Sequence, residues 1–399
     1  MQPQSANPKL LGGTRTMKFS IDQNKLISIL SEFSNILKEN PVKPIVAGLQ
    51  IKAKDNKITF IGTNLEVNYI REVEEVIEVE GSVVIKPALL LEYIKLLDEE
   101  RIEIIQKDNS IKVHHATFAI LSNESYPIIT IPKVKSSEEN KSEMESYSNK
   151  AFSIEGDKFV KFLEKSKFAA SSSRETIAVN CLRFVLRNDY IEMVSTDSHR
   201  LLYLKENIHS EIEKDASIPL DTVNILCKLL KDYNKEINIG FSGDILNITW
   251  EDALFSSKTT AVPFPDYRAI IEKTIANDTQ SQLKKTMEFN KNELTDALKR
   301  VITVAKTSID SKFGAKFSFK DKILEINANS GRGKINQKVN MIKNGDDFFA
   351  SLNCKYFAEY LDNIGDNPLV RGTDAGSMFE INEINKDNYK YILMPLAMR

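Results

Sequence analysis

The sequence has little of several residue types that mark whole classes of protein. Cysteine occurs only three times in 399 residues, at Cys181, Cys227 and Cys354. The three lie far apart in apolar stretches, which suits buried reduced thiols better than a disulfide framework or a zinc site, and we therefore expect a cytoplasmic protein. No apolar run approaches the length that spans a bilayer, so no membrane role is predicted.

The sequence also lacks a basic excess, since its formal net charge is -2. Proteins that grip nucleic acid over their whole surface usually carry such an excess, so any DNA contact must be local. There are only 15 glycines and no phosphate-binding loop of the Walker or dinucleotide type, which leaves nucleotide binding without support. His114 and His115 are adjacent, and neighbours on a strand face opposite sides, so we expect no shared metal and no cofactor.

What the sequence does contain is one pattern that occurs three times. A short alternating strand, a polar pair and an amphipathic helix run through 19–30, 152–163 and 287–298, beginning 133 and then 135 residues apart. A strand that ends in a polar turn follows at 58–64, 191–197 and 323–329, and a second helix follows at 89–97, 223–230 and 352–361. Three ordered landmarks at a common period predict three structurally related domains.

These landmarks set the predicted domain boundaries. Residues 1–16 are polar, with Pro3, Pro8, Gly12 and Gly13, and are interpreted as a leader or an expression remnant. The first domain is predicted to span 17–148, the second 149–280 and the third 281–399, with charged, apolar-poor linkers near 133–150 and 276–285. The fold class is α+β, with two helices packed on antiparallel sheets in each domain.

The segment Ser195-Thr-Asp-Ser-His-Arg-Leu201 is the most pointed polar cluster. Catalysis by Ser198, His199 and Asp197 is disfavoured, because residues adjacent in sequence rarely reach the geometry of a triad and there is no nucleophile elbow. A strand-ending turn is the simpler interpretation, since Asp and Ser favour turns. The His-Arg pair occurs only in the second copy, however, which indicates a binding site specific to that domain.

Lysines recur on the outer faces of the repeat helices. Lys158, Lys161 and Lys165 share one helical face, and Lys299 and Lys306 do the same in the third copy. Such faces are usually only solvated surface. If they line a shared channel, they would attract phosphates without reading bases.

Several motifs together resemble the bacterial DNA polymerase III beta subunits, from Met17 to the C-terminus. The motifs are Met17-Lys-Phe, Gly62-Thr-Asn-Leu-Glu66, Thr196-Asp-Ser-His-Arg-Leu201, Phe264-Pro-Asp-Tyr-Arg268 and Tyr391-Ile-Leu-Met-Pro395. The resemblance implies a non-enzymatic sliding clamp, a processivity factor in which two chains join head to tail into a six-domain ring around duplex DNA. The implied partners are a second copy, DNA without sequence preference, the polymerase III catalytic subunit, the clamp loader, other polymerases and repair factors.

The resemblance also implies a pocket for linear peptides between the second and third domains. Carried over by motif, its lining is Val179, Thr196, Ser198, His199, Arg200, Leu201, Pro265, Ile270, Ile392, Met394, Pro395 and Leu396. An apolar concavity with a few polar groups at its rim suits such ligands, and a methionine adapts to different ones.

Subunit and DNA contacts are predicted as well. The subunit contact joins Phe118 and Ile120 of the first domain to Ile302 and Ile309 of the third, because an apolar alternating strand would otherwise be an exposed edge. The residues predicted to face DNA are Lys161, Lys165, Arg174 and Lys299.

Three positions depart from the family pattern. Ser198 stands where the family usually has glycine, Asn40 stands at a basic position, and Arg399 comes later after the proline than in the family. Two other classes of function remain open from the residues alone. A nuclease would need clustered carboxylates for metal ions, which the sequence does not supply. A protein-binding scaffold without DNA would differ by not being retained on circular DNA.

Overall fold

The computed structural model describes residues 17–122, 126, 149–275, 285–308, 311–343, 345, 347–372 and 376–397. Within these residues the chain forms seven α-helices and 25 strands, and every strand pairing between named strands is antiparallel. The predicted α+β class with three repeated domains is confirmed.

The first repeat alternates strands with two helices. Its elements are β1 (Lys18–Asp22), α1 (Gln23–Ser34), a 3-10 turn (Pro44–Ala47), β2 (Leu49–Lys54), β3 (Lys57–Thr63), β4 (Val67–Glu74), β5 (Ile77–Val79), β6 (Gly81–Ile85), α2 (Pro87–Ile94), β7 (Arg101–Lys107), β8 (Ser110–Val113) and β9 (Ala116–Ser122).

The second repeat follows the same order without a counterpart of β5, and it adds a helix at its end. Its elements are β10 (Asn149–Glu155), α3 (Gly156–Lys167), β11 (Cys181–Leu186), β12 (Tyr190–Thr196), β13 (Arg200–Asn207), β14 (Lys214–Pro219), α4 (Leu220–Leu229), β15 (Glu236–Ser242), β16 (Ile245–Trp250), β17 (Ala253–Lys258) and α5 (Arg268–Ile275). Helix α5 was not predicted from the sequence.

The third repeat again has two helices among its strands. Its elements are β18 (Lys285–Phe289), α6 (Lys291–Ala305), β19 (Gly314–Lys320), β20 (Ile323–Ser330), β21 (Gly333–Lys343), β22 (Phe348–Asn353), α7 (Cys354–Leu361), β23 (Pro368–Gly372), β24 (Phe379–Glu383) and β25 (Tyr389–Leu393).

The repeat helices form for the reasons that the sequence pattern gives. In α1 the apolar residues Leu26, Ile29, Leu30 and Phe33 fall on one face and are buried. The side chain of Asp22 caps the helix by accepting a hydrogen bond from the backbone N–H of Lys25 at 2.8 Å. Asn290 and Asn353 cap α6 and α7 in the same way. Pro87 occupies the first turn of α2, where its missing N–H costs nothing.

The strands form two large sheets, and each lies in one of two compact units. The first unit contains the first repeat with β10 and β15–β17, in the order β10-β15-β16-β17-β4-β3-β2-β6-β9-β8-β7-β1-β5. The second unit contains most of the rest, in the order β14-β11-β12-β13-β25-β24-β23-β18-β21-β20-β19-β22. The division passes through the second repeat, because one of its sheets pairs with the first repeat and the other with the third.

Candidate functional site

The turn between β12 and β13 holds the polar cluster that the sequence singled out. The hydroxyl of Thr196 donates to the carbonyl of Arg200 at 2.5 Å, and the N–H of Ser198 donates to the Thr196 hydroxyl oxygen at 3.1 Å. One carboxylate oxygen of Asp197 accepts from the N–H groups of His199 and Arg200 at 3.0 and 3.1 Å. The local chemistry is that of an Asx turn, as the turn interpretation predicts.

Asp197 is therefore engaged with its own turn rather than with an imidazole. Its second carboxylate oxygen accepts from Nε of Arg200 at 2.9 Å. Ser198 has a φ of 77°, in the left-handed region that favours glycine. The serine therefore carries a conformational cost at this position.

An apolar wall lies directly after this turn. Leu201 on β13 is paired with Ile392 on β25, and both are buried. They belong to one cluster with partly buried side chains packed against it. The cluster contains Val185, Val194, Leu201, Tyr203, Tyr267, Ile271 and Ile392, with Phe264, Ile270 and Met378 at its margin. The structure thus brings together three of the predicted pocket residues, Leu201, Ile270 and Ile392.

The C-terminal tail borders the same turn. The N–H of Met394 donates to the carbonyl of His199 at 2.9 Å, and the N–H of Leu396 donates to the carbonyl of Ser351 at 2.7 Å. Met394 is 45% exposed, whereas Pro395 and Leu396 are half-buried. Backbone hydrogen bonds therefore fix a tail that presents an adaptable methionine at the surface. Arg399 lies outside the described residues.

The other predicted pocket residues differ in exposure. Val179 and Thr196 are buried, whereas Ser198, His199 and Pro265 are exposed. The turn residues and Pro265 are therefore the solvent-accessible members of this set.

Arg200 points to the opposite face of β13 from Leu201, because successive residues of a strand alternate. Its guanidinium forms ion pairs with Asp197 and Glu359 and lies 4.0 Å from the ring centroid of Tyr356. Only 8% of the residue is exposed. A carboxylate on each side and a ring face satisfy the buried charge.

A second concavity adjoins the turn on this opposite face. It has a volume of about 590 Å³, and Phe168, His199, Arg200, Tyr356 and Glu359 contribute to its lining. Phe168, Tyr356 and Glu359 were not predicted from the sequence. The signal for Tyr356 and Glu359 is weak, because aromatic and acidic residues on α7 have the ordinary spacing of an amphipathic helix.

The first repeat forms the same turn without the apolar wall. Thr63 donates to the carbonyl of Val67 at 2.8 Å, and Leu65 has a φ of 76°. The pair that corresponds to Leu201 and Ile392 is Asn68 on β4 opposite Ser256 on β17, and both are buried. The repeat therefore supplies the scaffold twice, but only the second junction has aliphatic side chains at this position.

The residues predicted to face DNA are only partly available as cations. Lys161 forms an ion pair with Asp157 at 2.8 Å on α3, and Arg174 forms one with Asp221 at 2.6 Å. Lys165 lies with its ammonium 5.7 Å from the ring centroid of Tyr389, and Lys299 on α6 is exposed. Exposed ion pairs are weak, so these groups remain able to exchange partners with phosphates.

The residues predicted at the subunit contact lie on surfaces of separate units. Phe118 and Ile120 on β9 are half-buried, and the Phe118 ring lies 5.6 Å from that of Tyr93. Ile302 on α6 is half-buried, whereas Ile309 lies outside the described residues.

Metal and thiol chemistry gain no support from the described part of the chain. No group of three or more His, Cys, Asp or Glu side chains there is arranged to hold a metal ion. Burial raises the pKa of the Cys181 thiol to about 11 and those of Cys227 and Cys354 to about 12. Raised pKa values keep these thiols protonated at neutral pH, which leaves them poor nucleophiles. No helix in the described ranges is long and apolar enough to cross a bilayer.

Three related domains that pair sheet edge to sheet edge within one chain define the class of DNA clamps. The chain belongs to the DNA polymerase III beta subunit family: models of the N-terminal, central and C-terminal domains match residues 17–131, 153–266 and 281–397. It is accordingly a polymerase processivity clamp and not an enzyme.

Known proteins of this family are similar over nearly the whole chain. The beta sliding clamp of Vibrio cholerae is 23% identical over 388 residues, covering 96% of this chain and 100% of that protein. That of Haemophilus influenzae is 22% identical with the same coverage. The crystal structure of the Thermotoga maritima beta subunit has a TM-score of 0.83 at 22% identity, and it covers 96% of this chain and 100% of that one.

Proposed function

We propose that this clamp binds linear peptide segments of its partners at the wall formed by Leu201, Ile270 and Ile392, and that Met394, Pro395 and Leu396 complete the receptor. The observation that carries the proposal is the contrast between the two junctions. Leu201 faces Ile392 where the first junction has Asn68 facing Ser256. An apolar site at one of two equivalent positions is a feature that folding alone does not require.

The chemistry of the wall suits a short peptide with two apolar side chains. Following the family resemblance, the ligand presents a glutamine followed by an apolar residue and an aromatic. Burial of two such side chains contributes roughly 3 to 6 kcal/mol before ordering costs are subtracted. Affinity of this size permits exchange between partners, which we propose to be the polymerase III catalytic subunit, the clamp loader, other polymerases and repair factors in the cytoplasm.

The internal repeat supports a head-to-tail ring of two copies. Repeats are joined within the chain by two strand pairings, β4 with β17 and β13 with β25. In the third repeat, β21 corresponds to β4 and β13. In the first repeat, β9 corresponds to β17 and β25. Within the described residues, 333–340 of β21 pair only with β20, and 116–119 of β9 pair only with β8. Pairing β9 of one copy with β21 of another would remove both open edges.

The repeat also supplies a register for this contact. In the first junction Phe255 lies opposite Tyr69, and in the second Tyr391 lies opposite Leu202. Counted from the hairpin turn, Phe118 has the position of Phe255, and Ile335 has that of Tyr69. Ile335 shares the face of β21 that carries Gln337, whose side chain accepts a hydrogen bond from Arg300 of α6, so it faces the helix as Tyr69 does. We therefore propose that Phe118 of one copy lies opposite Ile335 of the other.

DNA is proposed to be held weakly and without sequence preference by Lys161, Lys165, Arg174 and Lys299. Their partners in the structure are a ring face and exposed carboxylates, which compete only weakly with phosphate. Weak contacts that read no bases are what sliding requires. The domain boundaries 17–148, 149–280 and 281–399 are part of the same proposal.

Retention on DNA with and without ends tests the function. The clamp is loaded onto nicked circular DNA by a clamp loader and separated from free protein by gel filtration, and the DNA is then cut once. Retention on the circle and loss after cutting are expected, because only a topological link depends on DNA ends. Equal retention on both forms would contradict encirclement, and cleavage of the DNA by the purified protein with Mg²⁺ would indicate a nuclease.

A further inference from the structure

A short segment covers one side of the apolar wall. Residues 264–272, here called the strap, include the start of α5 and follow β17. Tyr267 and Ile271 of the strap are buried, and Phe264 and Ile270 pack against the cluster that contains Leu201 and Ile392. The side of the receptor that Ile270 forms is therefore only as well ordered as the strap.

The strap is tied to the sheet by a buried carboxylate. Glu192 on β12 is 6% exposed, and its two carboxylate oxygens accept hydrogen bonds from two tyrosine hydroxyls. Tyr267 of the strap donates at 2.7 Å, and Tyr203 of the neighbouring strand β13 donates at 3.0 Å. Arg268 adds a guanidinium nitrogen at 3.9 Å, half exposed to solvent.

The two tyrosine hydroxyls stay protonated at neutral pH and therefore remain hydrogen-bond donors. Burial, together with the adjacent Glu192 carboxylate, raises the pKa of both Tyr203 and Tyr267 above the ordinary value. A carboxylate with so little exposure needs such partners, since an unsatisfied buried acceptor is costly. Glu192 therefore connects the strap to the sheet beneath it.

We infer that Glu192 is a positioning residue for peptide binding, which holds the strap in its binding-competent place through Tyr267. The inference rests on the proposed function of the wall. A receptor side that is already ordered spares the ligand the cost of ordering it, and affinity falls in proportion to the fraction of molecules in which the strap is in place. Glu192 itself needs no contact with the peptide.

The two tyrosines provide a matched pair for the test. Each donates one hydroxyl to the same carboxylate and each is 6% exposed, but only Tyr267 belongs to the strap. Tyr267→Phe and Tyr203→Phe remove the same chemical group and should lower the melting temperature to a similar extent. Only Tyr267→Phe should release the strap.

The experiment measures the affinity of a synthetic peptide of the glutamine, apolar and aromatic type by calorimetry on the full-length protein. We expect Tyr267→Phe to weaken binding about 10-fold, as loss of a hydrogen bond to a charged acceptor would allow, and Tyr203→Phe to change it less than about 2-fold. Glu192→Gln keeps an acceptor oxygen and should bind more tightly than Glu192→Leu. Hydrogen exchange should accelerate at the Ile270 and Ile271 amides, which donate to the carbonyl of Tyr267, in Tyr267→Phe and in Glu192→Leu but not in Tyr203→Phe.

Ile392→Ser distinguishes failure of this inference from failure of the proposed function. If Ile392→Ser binds the peptide as well as the unmodified protein does, the wall is not the receptor. Both the proposed function of the wall and the positioning role of Glu192 would then be wrong. If Ile392→Ser loses binding while the two Tyr→Phe variants retain equal affinity, or lose it equally, Glu192 has only a structural role.

Discussion

Leu201 and Ile392 face each other across the pairing of β13 with β25, at the position where Asn68 faces Ser256 in the equivalent pairing of β4 with β17. The wall is therefore a property of two side chains on a scaffold that the chain forms twice. Exchanging them for the residues of the first junction, Leu201→Asn with Ile392→Ser, should lower peptide affinity at least about 10-fold, since each loses most of its apolar burial. Calorimetry measures the loss. Circular dichroism and the oligomeric state serve as controls, because unfolding would also abolish binding.

Removal of 394–399 tests the contribution of the tail. Met394 and Leu396 are tied to the carbonyls of His199 and Ser351, and no subunit contact is assigned to the tail. Truncation should abolish peptide binding and leave the dimer intact, as measured by calorimetry and sedimentation. Full affinity in the truncated dimer would place the site elsewhere.

Replacing Ser198 with glycine should stabilise the protein. Its φ of 77° is costly for a residue with a side chain, whereas glycine adopts it freely. After the greater entropy of glycine in the unfolded chain is subtracted, Ser198→Gly should raise the free energy of unfolding by about 0.5 to 1 kcal/mol. The matched control is Ser318→Gly. Ser318 lies in the extended strand β19, where the same change should lower the free energy of unfolding. Urea denaturation measures the free energy of unfolding of both variants. A loss of stability in Ser198→Gly would contradict the claim that the serine backbone is strained.

The subunit contact can be tested by its register. Phe118→Cys combined with Ile335→Cys should form an intermolecular disulfide under mild oxidation, because directly opposed residues in antiparallel strands have suitable spacing. Phe118→Cys with Asn336→Cys is the control, since Asn336 faces the other side of β21. Denaturing electrophoresis without reductant detects the product.

A second variant tests the same contact without cross-linking. Charged residues at both Phe118 and Ile120 should give soluble monomers, because the half-buried apolar face would then oppose docking. Sedimentation that still shows a dimer, together with cross-linking of the control pair, would contradict the assignment of this edge.

Neutralising Lys161, Lys165, Arg174 and Lys299 should weaken DNA association at low salt. The slope of log affinity against log salt should fall by up to about 3 to 4 if all four contact phosphates. Peptide affinity should not change, because none of these residues belongs to the wall. A control variant removes the same number of charges from four other exposed lysines, Lys52 and Lys54 on β2 and Lys320 and Lys322 on the β19–β20 hairpin. Equal salt-dependence slopes in both variants would contradict a role for the four residues in DNA binding.

The sequence by itself determined the repeat and much of the architecture. Hydrophobic period, capping residues and polar turns are local, so the strand and helix order of each repeat could be read from residues such as Asp22, Pro87 and Asn290. It also singled out the turn at 195–201 and the tail at 391–396, through motifs of the family.

Only the tertiary structure decided how those segments combine. The pairing of β13 with β25 joins residues nearly two hundred positions apart, and no local pattern specifies that Leu201 meets Ile392 or that Arg200 turns instead to Glu359 and Tyr356. The hydrogen bond from Tyr267, the residue before the unpredicted helix α5, to Glu192 on β12 likewise joins positions 75 residues apart. Such contacts depend on the register of long-range strand pairs, in which a shift of one residue would exchange the two faces.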